Sequence, residues 1–225
     1  GLVGRTATRH IHCHADLERI LTPQLEYFCK GMAYNVEFHL INPTKAEVVY
    51  EDRSVTVSSI PLRHRIPTCG FLFAEKPTPN HIIRDMIDFY KVPVFELNRI
   101  KNGEDYVLPD GTVIPNNRLT TPPAPPRSYA YCSDTIFHRP IIEQIKGVNL
   151  LFHEATFAQC DAQRAKETFH TTAMQAGEIA RDADVKQLLI GHFSARYEDE
   201  NILLQEARSV FPNTLLAKEN LKVTL

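Results

Sequence analysis

The sequence predicts a mixed α/β fold, and three observations carry that prediction. Short β-favouring runs recur in the second half, at RSYAYCS (127–133), VNLLF (148–152) and VKQLLIG (185–191), the last two largely apolar. Helix-patterned stretches separate them, which is the order expected of α/β units with buried strands. A residue with metal- or proton-binding chemistry stands at each strand end: Asp134, then His153 or Glu154, then His192, with His170 between the last two. Side chains just past such ends are held rigidly over a crevice, and carboxylate and imidazole are the usual oxygen and nitrogen donors to zinc. A lone Asp or His in such a place is more often a helix cap or a solvated loop residue; the four together carry the metal reading.

Composition bounds the rest. A chain of 225 residues, 43% hydrophobic and 23% charged, can bury a core and is expected to form one domain, or one domain with an insertion. Its formal net charge of −2 excludes a global basic field, so any grip on an anionic polymer must use a local patch or metal ions. The five cysteines (Cys13, Cys29, Cys69, Cys132, Cys160) include no C-x-x-C pair, which argues for reduced thiols in a cytoplasmic setting. No apolar run approaches membrane-span length, and no charged-then-apolar leader precedes the first strand.

In chain order, GLVGR (1–5) reads as a helix end or a loop, and RHIHCH (9–14) alternates Ile11 and Cys13 against His10, His12 and His14 as a strand does. Asp16 is expected to cap a helix over LERILTPQLEYFC (17–29), which Pro23 should kink or split and Gly31 should end. HIHCHAD contains H-x-H-x-D, a spacing used by binuclear metallohydrolases. The preferred reading is a strand with a histidine face, because Leu17 stands where the metal version needs a further His. NVEFHLI (35–41), AEVVYE (46–51) and SVTVSSIPL (54–62) are expected to form a meander, with EDR (51–53) as a hairpin turn. His64 then lies just past a strand, ahead of CGFLFAE. It is placed either to point into the crevice of Asp134 and His192 or to sit exposed in a loop.

NHIIRDMIDFY (80–90) reads as a short amphipathic helix, and the stretch from 91 to 127 is unlike the rest. Eleven of the fifteen prolines fall between Pro61 and Pro126, Asn102-Gly103 and Asp110-Gly111 are hairpin signals, and PPAPP (122–126) makes a stiff return. The expectation is an inserted arm with a basic first half (Lys91, Arg99, Lys101), read either as ordinary surface charge or as a grip on a substrate backbone. Beyond it, Pro140 sits near the start of a helix IIEQIK (141–146), and Thr171 or Thr172 caps TAMQAGEIARDAD, whose core-facing set includes Met174, Ile179, Ala180 and Ala183. DENILLQEARSVF (199–211) should bury Ile202, Leu203 and Phe211, with TLLAK (214–218) and LKVTL (221–225) as closing strands. No internal repeat is visible.

SDT around Asp134, HEATF at 153–157, H-T-T at 170–172 and GHFSARY at 191–197 resemble, in order and spacing, the ribonuclease Z family of the metallo-β-lactamase superfamily. The resemblance spans essentially the whole chain and is strongest from 129 to 217. It implies an α/β metallo-β-lactamase αββα sandwich over 1–225, with an exosite arm inserted at about 76–126. The family's first metal motif, H-x-H-x-D-H, stands upstream of a GLLG-like stretch, which GLVG at 1–4 matches, so that motif is expected to be missing from this sequence. The arm lacks the Gly-Pro pair common in the family's exosite.

The resemblance further implies an endoribonuclease that cuts 3′ trailers from precursor tRNA with two zinc ions, as a cytoplasmic homodimer. By position, His64, Asp134 and His192 are expected metal ligands, with Asp134 bridging. His170 is the expected proton donor to the leaving 3′ oxygen, oriented by Glu154, while Ser194 and Arg196 are placed to touch phosphate and Lys91, Arg99 and Lys101 to hold the tRNA backbone. The residues also admit two rival readings: a small-molecule phosphodiesterase on the same fold, and a non-catalytic RNA-binding remnant lacking the first metal motif.

Overall fold

A computed structural model describes residue 4 and residues 6–225; of the stretch read as a helix end or loop, and of its GLVG match, Gly1, Leu2, Val3 and Arg5 lie outside the described residues. In chain order the strands and helices are β1 (Arg9–Cys13), α1 (Ala15–Phe28), β2 (Val36–Leu40), β3 (Val48–Glu51), β4 (Val55–Pro61), β5 (Cys69–Glu75), β6 (His81–Ile82), α2 (Arg84–Phe89), α3 (Leu97–Lys101), β7 (Tyr106–Val107), β8 (Val113–Ile114), α4 (Asn116–Leu119), β9 (Thr120–Thr121), β10 (Ser128–Cys132), β11 (Leu150–Glu154), α5 (Ala162–Thr168), α6 (Ala173–Asp182), β12 (Gln187–Gly191), α7 (Asn201–Val210) and β13 (Thr214–Leu216). They gather into two compact units, 1–74 with 127–225, and 75–126.

The first unit is built on a seven-stranded sheet of order β13-β12-β11-β10-β5-β4-β3. Strands β10 to β13 are mutually parallel, whereas β5 runs antiparallel to β10 and β3 to β4. Side chains alternate across the pleat. Ala130, Leu151, Leu188 and Ile190 on one face join Ile179 and Ala180 of α6 and Leu203 and Ala207 of α7 in a buried core. On the other face Phe73 stacks on Tyr129 and Tyr131 on Phe152. Thr172 starts α6 with a capping box: its hydroxyl accepts from the Gln175 N–H, and the Gln175 side chain accepts from the Thr172 N–H.

Several local expectations are corrected. The three early strands do not form a meander: β1 and β2 pair in parallel as a separate two-stranded sheet, because α1 carries the chain back to start β2 in the same direction. Helix α1 is not split at Pro23, and Asp16 does not cap it; His14 occupies the cap position while Asp16 pairs with Arg19 in the first turn. None of its residues is buried, so losing one backbone hydrogen bond at the proline orphans no group in a core. The helix ends at Phe28, before Gly31. Residues 141–146 form 3-10 and turn structure, too short to nucleate an α-helix, although Ile141 and Ile145 are buried as a helix would bury them. In α7 it is Leu203, Leu204 and Ala207 that face the core, and Ile202 is 54% exposed. LKVTL is not a strand.

The second unit has its own small core of Ile87, Val92, Ile100, Ile114 and Leu119. Asn116 ties it together, donating to the carbonyls of Ile100 (2.6 Å) and Glu104 (2.8 Å) and accepting from Thr120 (2.7 Å). Asp110-Gly111 lies in the turn between the paired strands β7 and β8, whereas Asn102-Gly103 closes α3 with Gly103 at φ +98°, a helix end where a hairpin was expected. The 80–90 helix is shorter than its pattern, since His81 and Ile82 pair with β9.

Where β5 meets β10, a Cβ on Gly70 would lie 2.3 Å from the carbonyl oxygen of Tyr131. Gly70→Ala should therefore destabilise the protein by about 1–3 kcal/mol, as overpacking does. An unchanged urea midpoint would mean that the β5–β10 contact is not tight.

Candidate active site

The polar groups beyond the strand ends meet at the carboxyl edge of β10, β11 and β12. After β10 and β12 the chain turns through left-handed backbone at the candidate ligands themselves, Asp134 (φ +56°) and His192 (φ +60°). Phe169 (φ +62°) does the same before His170. Non-glycine residues adopt this region only when surroundings hold them there, and such residues cluster at functional sites.

Glu154, the last residue of β11, is fully buried and is the centre of the site. Its Oε1 accepts from the Thr135 N–H (2.6 Å), its Oε2 from the Thr156 hydroxyl (2.6 Å) and the Thr171 N–H (3.0 Å), and His170 Nδ1 lies 3.0 and 3.1 Å from the two oxygens. A carboxylate offers about four lone-pair sites, and four donors take them up here. Burial would push this carboxyl up. The hydrogen bonds from His170, Thr156 and the Thr171 backbone together outweigh burial and hold it below its ordinary range. The bond to Glu154 in turn raises the His170 imidazole above its usual range, against a smaller opposing effect of burial.

His192 Nε2 stands 3.1 Å from Asp134 Oδ1, and its Nδ1 stands 2.9 Å from the Thr156 hydroxyl. The His170 and His192 rings stack at 5.3 Å between centroids, and His64 lies on the other side of His170 at 5.1 Å. Asp134, Glu154, His170 and His192 each place a potential ligand atom within 4.8 Å of the others. The donor chemistry fits a divalent cation at Asp134 and His192, where a carboxylate oxygen and an imidazole nitrogen converge, and not at Glu154, whose lone pairs are committed. His64 stands outside that group of four; its Nδ1–H donates to the Phe169 carbonyl at 3.0 Å, which orients the ring and leaves the Nε2 lone pair as its ligand atom. A cleft of about 380 Å³ opens beside His170, lined also by Phe137, Gln163 and Lys166.

The other expected site residues are placed as follows. His153, the alternative to Glu154, is fully buried; burial pushes its imidazole down, its Nδ1 lies 2.7 Å from the Glu154 carbonyl, and its Nε2 has no partner among the described residues. Ser194 hydrogen-bonds through its N–H to the Thr156 carbonyl. Arg196 is already partnered, 3.3 Å from Asp161 and over the Phe157 ring at 5.1 Å. Lys91, Arg99 and Lys101 belong to the second unit, where Arg99 bonds to both Glu96 and Glu104. Thr135 and Thr156 are named by no expectation from the sequence, and Thr171 only as a candidate helix cap, although each stands inside one of the quoted motifs.

A second histidine group lies on the parallel β1–β2 pair. His10 Nδ1 is 2.9 Å from His39 Nε2 and 3.4 Å from Glu37, and His12 stacks on His39 at 4.7 Å. His10 and His12 belong to the histidine face expected of HIHCHAD, whereas His14 lies beyond β1 at the cap of α1; the three residues that could share an ion, His10, Glu37 and His39, are all exposed.

Glu154→Gln replaces one acceptor with a donor among four groups that donate to the carboxylate. It should cost about 2–4 kcal/mol in urea unfolding of metal-free protein, from the loss of charged hydrogen bonds in a buried site. A loss below about 0.5 kcal/mol would show that the carboxylate does not organise the site.

No protein-family model matches the chain. The ribonuclease Z of Phocaeicola vulgatus is 72% identical over 225 residues, covering 100% of this chain and 73% of that protein. The ribonuclease Z of Porphyromonas gingivalis is 53% identical over the same 225 residues, covering 74% of its length. Among solved structures, the metallo-β-lactamase fold protein YhfI from Bacillus subtilis superposes with a TM-score of 0.58 at 18% identity, covering 96% of this chain and 65% of that one. Human tRNase Z, short form, superposes with a TM-score of 0.54 at 18% identity, covering 83% and 61%. These structures share the fold, and the sequence relatives carry the assignment: the chain belongs to the ribonuclease Z family and has a metallo-β-lactamase fold.

Proposed function

We propose that this protein is an endoribonuclease that removes 3′ trailers from precursor tRNA. The observation that carries the reading is the 72% identity to a ribonuclease Z along all 225 residues. Water attacks the phosphorus, the bond to the 3′ oxygen of the tRNA breaks, and the trailer leaves with a 5′ phosphate. Asp134 and His192, with His64, would hold divalent cations, zinc by preference of the donor set. Bound cations would offset charge on the phosphate and ease deprotonation of the attacking water. His170 donates its proton to the departing 3′ oxygen; its raised pKa supports this role, since it keeps the ring protonated nearer neutral pH. Glu154 orients His170 through Nδ1, leaving Nε2 as the donating atom.

Lys91 and Lys101 are assigned to the tRNA backbone in preference to Arg99, because Arg99 is held by two carboxylates. Ser194 and Arg196 keep the phosphate-contacting role that the resemblance gives them, with Arg196 changing partner from Asp161. The five free cysteines agree with a reducing, cytoplasmic setting, and no helix among the described residues is long and apolar enough to cross a membrane. A homodimer completes the proposal.

His170→Ala should lower precursor tRNA cleavage by roughly 10²–10⁴-fold with metal content unchanged, the usual share of a general acid. Retained cleavage would remove His170 from the mechanism. Lys91→Ala with Lys101→Ala should weaken tRNA cleavage while sparing hydrolysis of bis(p-nitrophenyl) phosphate, and Arg99→Ala should do less. Equal loss on both substrates would end the grip reading.

A further inference from the structure

We propose that the Thr156 hydroxyl is a positioning group that sets the tautomer of His192, directing its Nε2 lone pair at Asp134 through a hydrogen-bond chain that ends on Glu154. The inference rests on the reading of Asp134 and His192 as metal ligands. Thr156 lies two residues beyond the end of β11 and is 6% exposed, so its hydroxyl has no free exchange of partners with water. Its oxygen lies 2.6 Å from Glu154 Oε2, 2.9 Å from His192 Nδ1 and 2.9 Å from the His192 carbonyl.

A hydroxyl has one proton to give. An ionised carboxylate only accepts and makes the shorter, stronger bond, so the proton goes to Glu154. What Thr156 then presents to His192 is a lone pair, and His192 Nδ1 must carry a hydrogen to meet it. In the neutral ring this leaves Nε2 as the acceptor, and Nε2 is the nitrogen 3.1 Å from Asp134 Oδ1. Two acceptors that close repel each other; with no cation between them the half-exposed Asp134 carboxylate is free to turn to water, while the buried bond to Thr156 holds the ring. The opposite tautomer would turn a bare Nδ1 towards Thr156 and draw its proton away from Glu154, leaving the buried carboxylate one donor short.

The arrangement matches a general device in which a ligand imidazole donates its other N–H to a supporting acceptor that fixes the ring. Its particular feature is that Glu154 governs both histidines. It receives the Nδ1–H of His170 directly and acts on His192 through Thr156, so both rings turn Nε2 away from the carboxylate.

The test begins with the imidazole nitrogen signals of His192 in the metal-free full chain. Long-range proton–nitrogen correlation should show the Nδ1–H form in the unaltered protein, and predominance of the Nε2–H form would overturn the proposal without any variant. Thr156→Val keeps the shape and removes the hydroxyl; it should populate the Nε2–H form and weaken Zn²⁺ affinity, measured by competition with a chromophoric chelator, by about 10–100-fold. Thr156→Ser should keep both the tautomer and the affinity. A valine variant that folds and keeps both properties would refute the role of the hydroxyl, as would a serine variant that loses both. Asp134→Ala and His192→Ala report separately on the ligand reading. If neither lowers Zn²⁺ affinity, that reading fails, while the tautomer measurement still decides the claim about Thr156.

Discussion

The site depends on one buried carboxylate. Glu154 has no exposed surface, and a charge so placed is stable only if its lone pairs are met. They are met by groups from three separate stretches: Thr135 after β10, Thr156 after β11, and His170 with Thr171 before α6. The desolvation cost of Glu154 is thereby turned into a positional constraint. The loops that carry the reactive groups cannot drift apart without leaving buried donors and a buried charge unpaired.

The sheet and helices serve this constraint. Parallel pairing of β10, β11 and β12 brings three strand ends to one edge, and the adjacent loops bring the SDT, HEATF and HTT residues onto it. The capping box of Thr172 and Gln175 fixes where α6 begins, immediately after the histidine. Left-handed backbone at Asp134, Phe169 and His192 then turns the chain sharply at the points where a ligand or proton carrier must be aimed.

The two histidine groups show why residue type alone does not make a site. His10, Glu37 and His39 bring together the same donor chemistry as the edge of β10 to β12, on exposed strands where each side chain is free to leave its neighbour. At the edge of the large sheet, Glu154 and His170 are locked by neighbours, and the Nδ1 atoms of His170 and His192 each have a partner. Rigid support of this kind raises the fraction of time that reactive atoms spend in one geometry.

Much of this was legible in the residues. Short β-favouring runs, a cap at Thr171 or Thr172 and the quoted motifs identified β10, β11, β12 and α6 and named Asp134, His153 or Glu154, His170 and His192, since hydrophobic pattern and capping are properties of neighbours in sequence. The early strands were misjoined, because a meander and a β-α-β pair have the same local patterns and differ only in which strand each one meets. The expected split at Pro23 failed for a related reason: whether a helix tolerates the lost backbone hydrogen bond depends on its surroundings, and α1 buries none of its residues. Thr135 and Thr156 were overlooked because their partners are remote in sequence, 19 residues away for Thr135 to Glu154 and 36 for Thr156 to His192. Residue chemistry and periodicity thus settled which groups the protein could use and which elements would carry them. Their commitment, with Glu154 to four donors and His192 to Asp134 and Thr156, came from packing, because a hydrogen bond requires atoms about 3 Å apart and no local pattern encodes that distance between remote segments.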